Sequence, residues 1–258
     1  MGSKGLELFD LTGKTALVTG AAKTTGLCYG MARALHDAGA TVVLMDVSAE
    51  VFELAKGLGG EAARYYAVQA NLTDNESMKA GFEKAVAHLK GKLDILVNGA
   101  GIQYRCDAID FPAEKWMQIM NINLNSVFLL SQLAGKIMLA QGSGRIINIA
   151  SMTSFTGSKR IPAYAASKGG IMQLTKALSN EWCGQGVNVN AIAPGYMLSE
   201  FWLGKTDSEQ GRAHTARIPA GRWGTAEDLE GVTIFLASEA SNYVSGAIIP
   251  VDGGYLGA

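Results

Sequence analysis

Little in this chain marks it for secretion, a membrane or a nucleic acid. Cysteine is scarce: Cys28, Cys106 and Cys183 are the three present, and no two stand at the spacing of a metal site or a redox pair. That predicts reduced thiols, no bound metal and no disulfide framework. An excess of charge of one sign is missing too, since a net charge of −1 gives no footprint for nucleic acid or anionic lipid. Proline occurs five times in 258 residues, and no proline-rich linker or repeat divides the chain. One domain over residues 1–258 is therefore expected, with residues 1–12 as a tail. The most apolar region, residues 127–140, is interrupted by Ser131, Gln132 and Lys136, so it reads as a buried helix rather than a membrane span. The opening stretch MGSKGLELFD has no apolar core of signal-peptide length. Together these absences predict a cytoplasmic protein without nucleic-acid or membrane partners.

What the chain does have is hydrophobic content, 48% of residues, enough for one large core. Short β-branched runs recur: KTALVT (14–19), TVVLMD (41–46), RYYAVQA (64–70), LDILVN (93–98), GRIINIA (144–150), VNVNAIA (187–193) and AIIPVD (247–252). Between most of them lie segments with apolar residues three or four apart, such as MARALHDAG and MQLTKALSNEW. Buried strands alternating with helices predict an α/β fold. It is a Rossmann-type doubly wound sheet of about seven parallel strands, with helices on both faces. In such a sheet ligands gather at the carboxyl ends of the strands. Those ends here carry Thr19-Gly20, Asp46, Asn98-Gly99-Ala100-Gly101 and Ser151.

The first strand runs into TGAAKTTGLCYG, residues 19–30. Gly20, Thr25, Gly26 and Leu27 would let backbone N–H groups approach a pyrophosphate at a helix N-terminus. Asp46 ends the second strand 20 residues after Gly26, the spacing of a carboxylate that accepts from ribose hydroxyls. Its charge would repel a 2′-phosphate and so favours NAD over NADP. Lys23 argues the other way, as a loop cation able to receive that phosphate. Cys28 stands where close packing calls for a small residue, and as a compact apolar side chain it reads as packing.

In the second half, YAASK places Tyr164 and Lys168 four residues apart, on one face of a helix. Ser151 lies thirteen residues earlier, just past a strand, and Asn123 twenty-eight before that. With TG…G at 19–26, NGAG at 98–101, PG at 194–195 and DGG at 252–254, this order and spacing resembles the short-chain dehydrogenases/reductases over nearly the whole chain. The resemblance implies a catalytic tetrad of Asn123, Ser151, Tyr164 and Lys168. It places the cofactor against the glycine loop, Asp46, Asn71, Leu72, Asn98, Ala100, Gly101, Tyr164, Lys168, Pro194, Gly195 and Met197. Free tyrosine titrates near pH 10, so the Lys168 ammonium and a positive nicotinamide ring would be needed to favour the phenolate as a base. Three departures from the family pattern stand out. The glycine loop is two residues longer and carries Cys28 for glycine, Gly99 replaces an asparagine, and Asn71 replaces an acidic residue near adenine.

Within that family the chain resembles the sugar-acid dehydrogenases, through GLCYGMA, AGIQYR, NIASMTSF, NAIAPGYM and RIPAGRWG. The implied substrate is gluconate- or 2-keto-3-deoxygluconate-like, and its carboxylate calls for an arginine. Arg105 and Arg160 occupy matching positions, and Arg217 is a third candidate. Ser151, Met152, Tyr164 and Tyr196 would contact the substrate, with Gln103 and Tyr104 nearby. Residues 196–222, which include Trp202, read as an irregular lid. The apolar C-terminal run resembles the family's subunit contact and implies a homotetramer. Two other readings stay open: an NADPH-dependent 3-oxoacyl-carrier-protein reductase, and a nucleotide-binding homologue without turnover.

Overall fold

The computed structural model of the protein describes residues 4–198, 204 and 206–258. All seven β-branched runs form strands: β1 (Thr15–Thr19), β2 (Thr41–Asp46), β3 (Tyr65–Gln69), β4 (Ile95–Asn98), β5 (Gly144–Ile149), β6 (Val187–Pro194) and β7 (Ile248–Val251). They make one sheet in the order β3-β2-β1-β4-β5-β6-β7, parallel at every pairing. Chain order reverses between β1 and β4, and this switch point opens the crevice where the site lies.

Alternation along each strand divides the core between two faces. Ala16, Val18, Val42, Leu44, Ile95 and Val97 face one cluster. Leu17, Val43, Met45 and Leu96 face the other. Side chains buried on both faces explain why these strands read as unbroken apolar runs instead of alternating ones.

The covering helices are α1 (Lys4–Glu7), α2 (Leu27–Asp37), α3 (Glu50–Gly57), α4 (Asn75–His88), α5 (Ala113–Met120), α6 (Ser126–Gln141), α7 (Pro162–Trp182), α8 (Glu209–Thr215) and α9 (Glu230–Ala237). Among the described residues, one helical stretch, Ala113–Gln141, is long and apolar enough to cross a membrane. Its inner face, with Val127, Leu130, Ala134 and Met138, is buried against the rest of the fold.

Two stretches differ from expectation. Of the expected tail, residues 1–3 lie outside the described residues, while Leu11 is fully buried and its N–H donates to Ala38 O at 2.8 Å. In the expected lid, Trp202 lies outside the described residues, and residues 209–215 are helical. The reason is a helix cap: Ser208 Oγ accepts from Gly211 N at 3.0 Å, satisfying a first-turn donor.

Candidate active site

The four predicted catalytic residues converge above β5. Ser151 follows that strand directly and opens a short turn, with Thr153 N donating to Ser151 Oγ at 3.2 Å. Pro162 starts α7 at a position where its missing N–H costs nothing, and the helix carries Tyr164 and Lys168 one turn apart. Tyr164 is half-buried and hydrogen-bonded to Ser151. Burial pushes its phenol above the ordinary tyrosine value, and the Ser151 hydrogen bond partly offsets this.

Lys168 is 4% exposed. Its Nζ donates to Ile149 O at 2.6 Å and stands 5.7 Å from the centre of the Tyr164 ring. Burial lowers this ammonium to about 8, because a charge shut away from water is disfavoured.

Asn123 comes from a π-helical turn, Asn121–Asn125, between α5 and α6. Such wide turns re-aim a side chain. Here Asn123 Oδ1 accepts from Ile102 N at 2.9 Å, while Nδ2 donates to Ile102 O at 3.0 Å and to Ser167 Oγ at 3.2 Å. Asn123 thus locks the turn after Gly101 onto α7.

Sequence reasoning did not anticipate Ser154. Its hydroxyl donates to Lys168 O at 2.7 Å and accepts from Ser151 N at 3.3 Å, tying the serine turn to the lysine's helix turn. The repeated small residues of NIASMTSF were the available signal.

The cofactor end is a cleft of about 1060 Å³ lined by Gly20, Lys23, Gly26, Asp46, Asn71, Leu72, Ala100 and Gly101, among others. Gly20 has φ +76°, and a Cβ there would lie 2.7 Å from Ala100 Cα. Only glycine fits that approach. Asp46 Oδ2 accepts from Ala22 N at 3.1 Å and Oδ1 from Ser48 N at 3.0 Å, so its carboxylate braces the glycine loop. Asn71 Oδ1 is occupied within its own turn by Thr73 N and Oγ1, at 3.0 and 2.8 Å. Thr25 is exposed, and Leu27 packs on the core.

Pro194 ends β6. A side chain on Gly195 would meet Asp252 Cα at 2.7 Å, so this glycine marks where the 194–195 and 252–254 turns touch. Met197 bridges to Gly224. The size of the cleft and the glycines that line it fit a dinucleotide.

The Asn98 side chain faces the interior. It is 2% exposed and turns inside the fold, donating to Ser131 Oγ at 3.0 Å and Asn148 Oδ1 at 2.9 Å. A buried amide needs partners, and those partners hold it away from the cleft.

The arginines separate. Arg160 has φ +68°, and its Nε pairs with Asp107 Oδ1 at 3.1 Å. Arg105 and Arg217 both bear on Tyr196 and His214, whose ring is held below the ordinary histidine value by burial and by those two cations. Tyr196 is packed at centroid distances of 4.5 Å from His214, 5.1 Å from Trp223 and 5.5 Å from Tyr255. Arg217 lies 4.9 Å over Tyr255. Sequence reasoning missed His214, Trp223 and Tyr255 as a group, since nothing in their spacing joins them. Met152 follows Ser151 in the same turn. Tyr104 packs edge-on to Phe111 at 5.7 Å.

Comparison with known proteins agrees with this geometry. The family described as enoyl-(acyl carrier protein) reductase matches residues 20–256. The 2-dehydro-3-deoxy-D-gluconate 5-dehydrogenase of Dickeya dadantii is 46% identical over 253 residues, 97% of this chain and 98% of that protein. A solved structure of a putative NAD(P)-dependent gluconate 5-dehydrogenase from Beutenbergia cavernae, with NADP bound at low occupancy, superposes with a TM-score of 0.91. It is 42% identical, and the match covers 97% of this chain and 100% of that one. A gluconate 5-dehydrogenase from Burkholderia cenocepacia, in complex with NADP and tartrate, gives a TM-score of 0.92 at 36% identity, covering 98% of this chain and 99% of that one. The protein described here belongs to the short-chain dehydrogenase/reductase family, as an NAD(P)-dependent oxidoreductase acting on CH–OH groups.

Proposed function

We propose that the protein interconverts a secondary alcohol and a ketone on a sugar acid of the gluconate or 2-keto-3-deoxygluconate kind, with NAD as its cofactor. The carrying observation is the placement of Tyr164 against Ser151 and above Lys168, beside a cleft of dinucleotide size. Ser151 holds the substrate oxygen, and Tyr164 takes the hydroxyl proton during oxidation. Burial disfavours the phenolate and the Ser151 hydrogen bond partly offsets this; the Lys168 ammonium, 5.7 Å from the ring centre, and the positive ring of a bound nicotinamide would favour it further. Asn123 holds the Gly101–Ile102 turn over Lys168 and would order a water linking that ammonium to solvent. The nicotinamide, when bound, supplies the hydride acceptor.

The sugar-acid reading is supported by what the Dickeya and Burkholderia relatives are named for and by the two arginines whose charges act on Tyr196. Arg105 and Arg217 would receive the carboxylate, whereas Arg160 is engaged by Asp107. Residues 196–222 would act as the lid over the substrate. For NAD, the support is Asp46, whose carboxylate is fixed in the cleft by two backbone donors. Lys23 lines the same cleft and favours the rival, an NADPH-dependent acyl reductase. A homotetramer is also proposed, on the half-exposed apolar edge strand β7.

The test is a steady-state assay of gluconate and 2-keto-3-deoxygluconate with NAD and with NADP, and of a 3-oxoacyl thioester with NADPH. Turnover with a sugar acid and NAD supports the reading. Turnover confined to acyl thioesters with NADPH overturns it.

A further inference from the structure

Two stretches that hydride transfer does not use, IPAG at 218–221 and DGG at 252–254, meet beside the catalytic residues. Strand β6 lies next to β5 with Ile192 opposite Ile149, so the turn after Pro194 stands alongside Ser151. Gly195 N donates to Val251 O at 3.0 Å, which brings the end of β7 to the same place. The chain then turns sharply at Asp252, whose carboxylate accepts from Gly254 N and Leu256 N, both at 2.9 Å. Gly253 has φ +65°, and a Cβ there would lie 2.8 Å from Ile218 Cγ2, so only glycine lets the turn sit this low. Ala220 N donates to Gly253 O at 2.9 Å and closes the seam.

This hook fixes where Tyr255 lies. Its ring stands edge-on to Tyr196, with centroids 5.5 Å apart, and the Arg217 guanidinium lies 4.9 Å over it. Arg217 leaves the end of α8, where its N–H donates to His214 O at 3.0 Å. Tyr196 is held on its other side by the His214 ring, stacked at 4.5 Å. Trp223, against the same tyrosine, donates from Nε1 to Thr215 Oγ1 at 2.8 Å, which ties α8 to the cluster.

Arg217 is exposed. An exposed arginine samples many rotamers, and a ligand that needs one of them bears the cost of ordering it. A ring under the guanidinium removes part of that cost in advance, because a cation is attracted to a π face without using its N–H donors. The donor fork stays available for a carboxylate.

We infer that Tyr255 is a specificity-determining positioning residue: its ring is the platform that holds Arg217 beside Tyr196, so that the last turn of the chain favours an acidic substrate over a neutral one. The inference rests on the reading that Arg217 receives the carboxylate of a sugar acid. It also says why the platform is aromatic, since an aliphatic side chain would fill the space but offer no negative face.

The test compares the better of gluconate and 2-keto-3-deoxygluconate with the neutral amide of the same acid, followed as substrate or competitive inhibitor. The proteins are wild type, Tyr255→Phe, Tyr255→Leu, Arg217→Gln and the Tyr255→Leu, Arg217→Gln double variant. Tyr255→Leu should raise KM for the acid about fivefold, with kcat and the constant for the amide within about twofold of wild type. Tyr255→Phe keeps the π face and should stay within about twofold throughout. Arg217→Gln should raise KM for the acid about tenfold, and adding Tyr255→Leu to it should change little, because the two side chains act through one contact. An equal loss for acid and amide, or a fall in kcat, would make the ring mere packing and overturn the inference. So would a double variant whose KM is the product of the two single effects. If Tyr255→Leu does not fold, Tyr255→Met takes its place, and a chain that folds only with an aromatic residue at 255 overturns the inference too. Wild type that turns over no sugar acid, or an Arg217→Gln variant with unchanged KM for the acid, would sink the carboxylate reading and this role together. A rise in KM with Arg217→Gln but none with Tyr255→Leu would sink this role alone.

Discussion

The two ends of the cleft use the same strand edges but are built by opposite means. At the catalytic end each function sits on a side chain fixed by named partners: Lys168 by Ile149 O, Asn123 by both polar atoms of Ile102, Ser151 by Thr153 N. At the glycine loop the function sits on the backbone, and what matters is where side chains are missing, as at Gly20 and Gly99. A site carried by side chains cannot exchange a residue without losing its chemistry. A site carried by space can, provided a neighbour refills or vacates the same volume.

If that contrast is right, the largest effect should come from the tetrad. Tyr164→Phe should lower kcat by about 10²–10⁴-fold, the usual worth of a positioned acid or base, and leave NADH affinity unchanged. Loss of both in equal measure would mean that the ring's role is packing.

The next effect concerns pH. Lys168 is held at about 8 in the fold and titrates near 10.4 when unfolded. Between those values the unfolded chain binds more protons, so this residue makes stability rise with pH, and its burial penalty is complete below about 8. Relative to Lys168→Met, the wild type should therefore gain melting temperature from pH 8 towards 10. A parallel pair of curves would contradict the assignment.

Arg105→Ala should raise the KM for a sugar acid about tenfold with kcat little changed, as expected for a ground-state carboxylate contact. Arg160→Ala should change KM by less than about twofold, because its guanidinium serves Asp107. Equal effects would erase the distinction between the two arginines. The smallest change belongs to Ser154→Ala. It should lower kcat about threefold without moving KM, since it loosens only the tie between the serine turn and Lys168.

Much of the fold was legible because parallel strands buried on both faces declare themselves as short β-branched runs. Both ends of Val187–Pro194, for example, fall within a residue of the run VNVNAIA. The tetrad was legible because its chemistry needs particular side chains at fixed helical and strand-end spacings. Helix α8 was not, since one serine cap tipped a short polar segment into helix. The cluster of Tyr196, His214, Trp223 and Tyr255 forms only when four separate segments, one of them helix α8, fold together, and no local pattern encodes that. For Asn98, its position in the NGAG turn fixes where its backbone runs but not which way its amide points. Cys28 read as packing in the sequence, but only the fold shows that its sulfur occupies the place a side chain on Gly99 would take.

The most direct test of the account is a fluorescence titration of the wild-type protein with NADH and, separately, with NADPH. It asks whether the lengthened loop and the unaltered tetrad still make one site. The account predicts saturable NADH binding, with NADPH weaker because the Asp46 carboxylate lines the cleft. Binding of neither dinucleotide would contradict it.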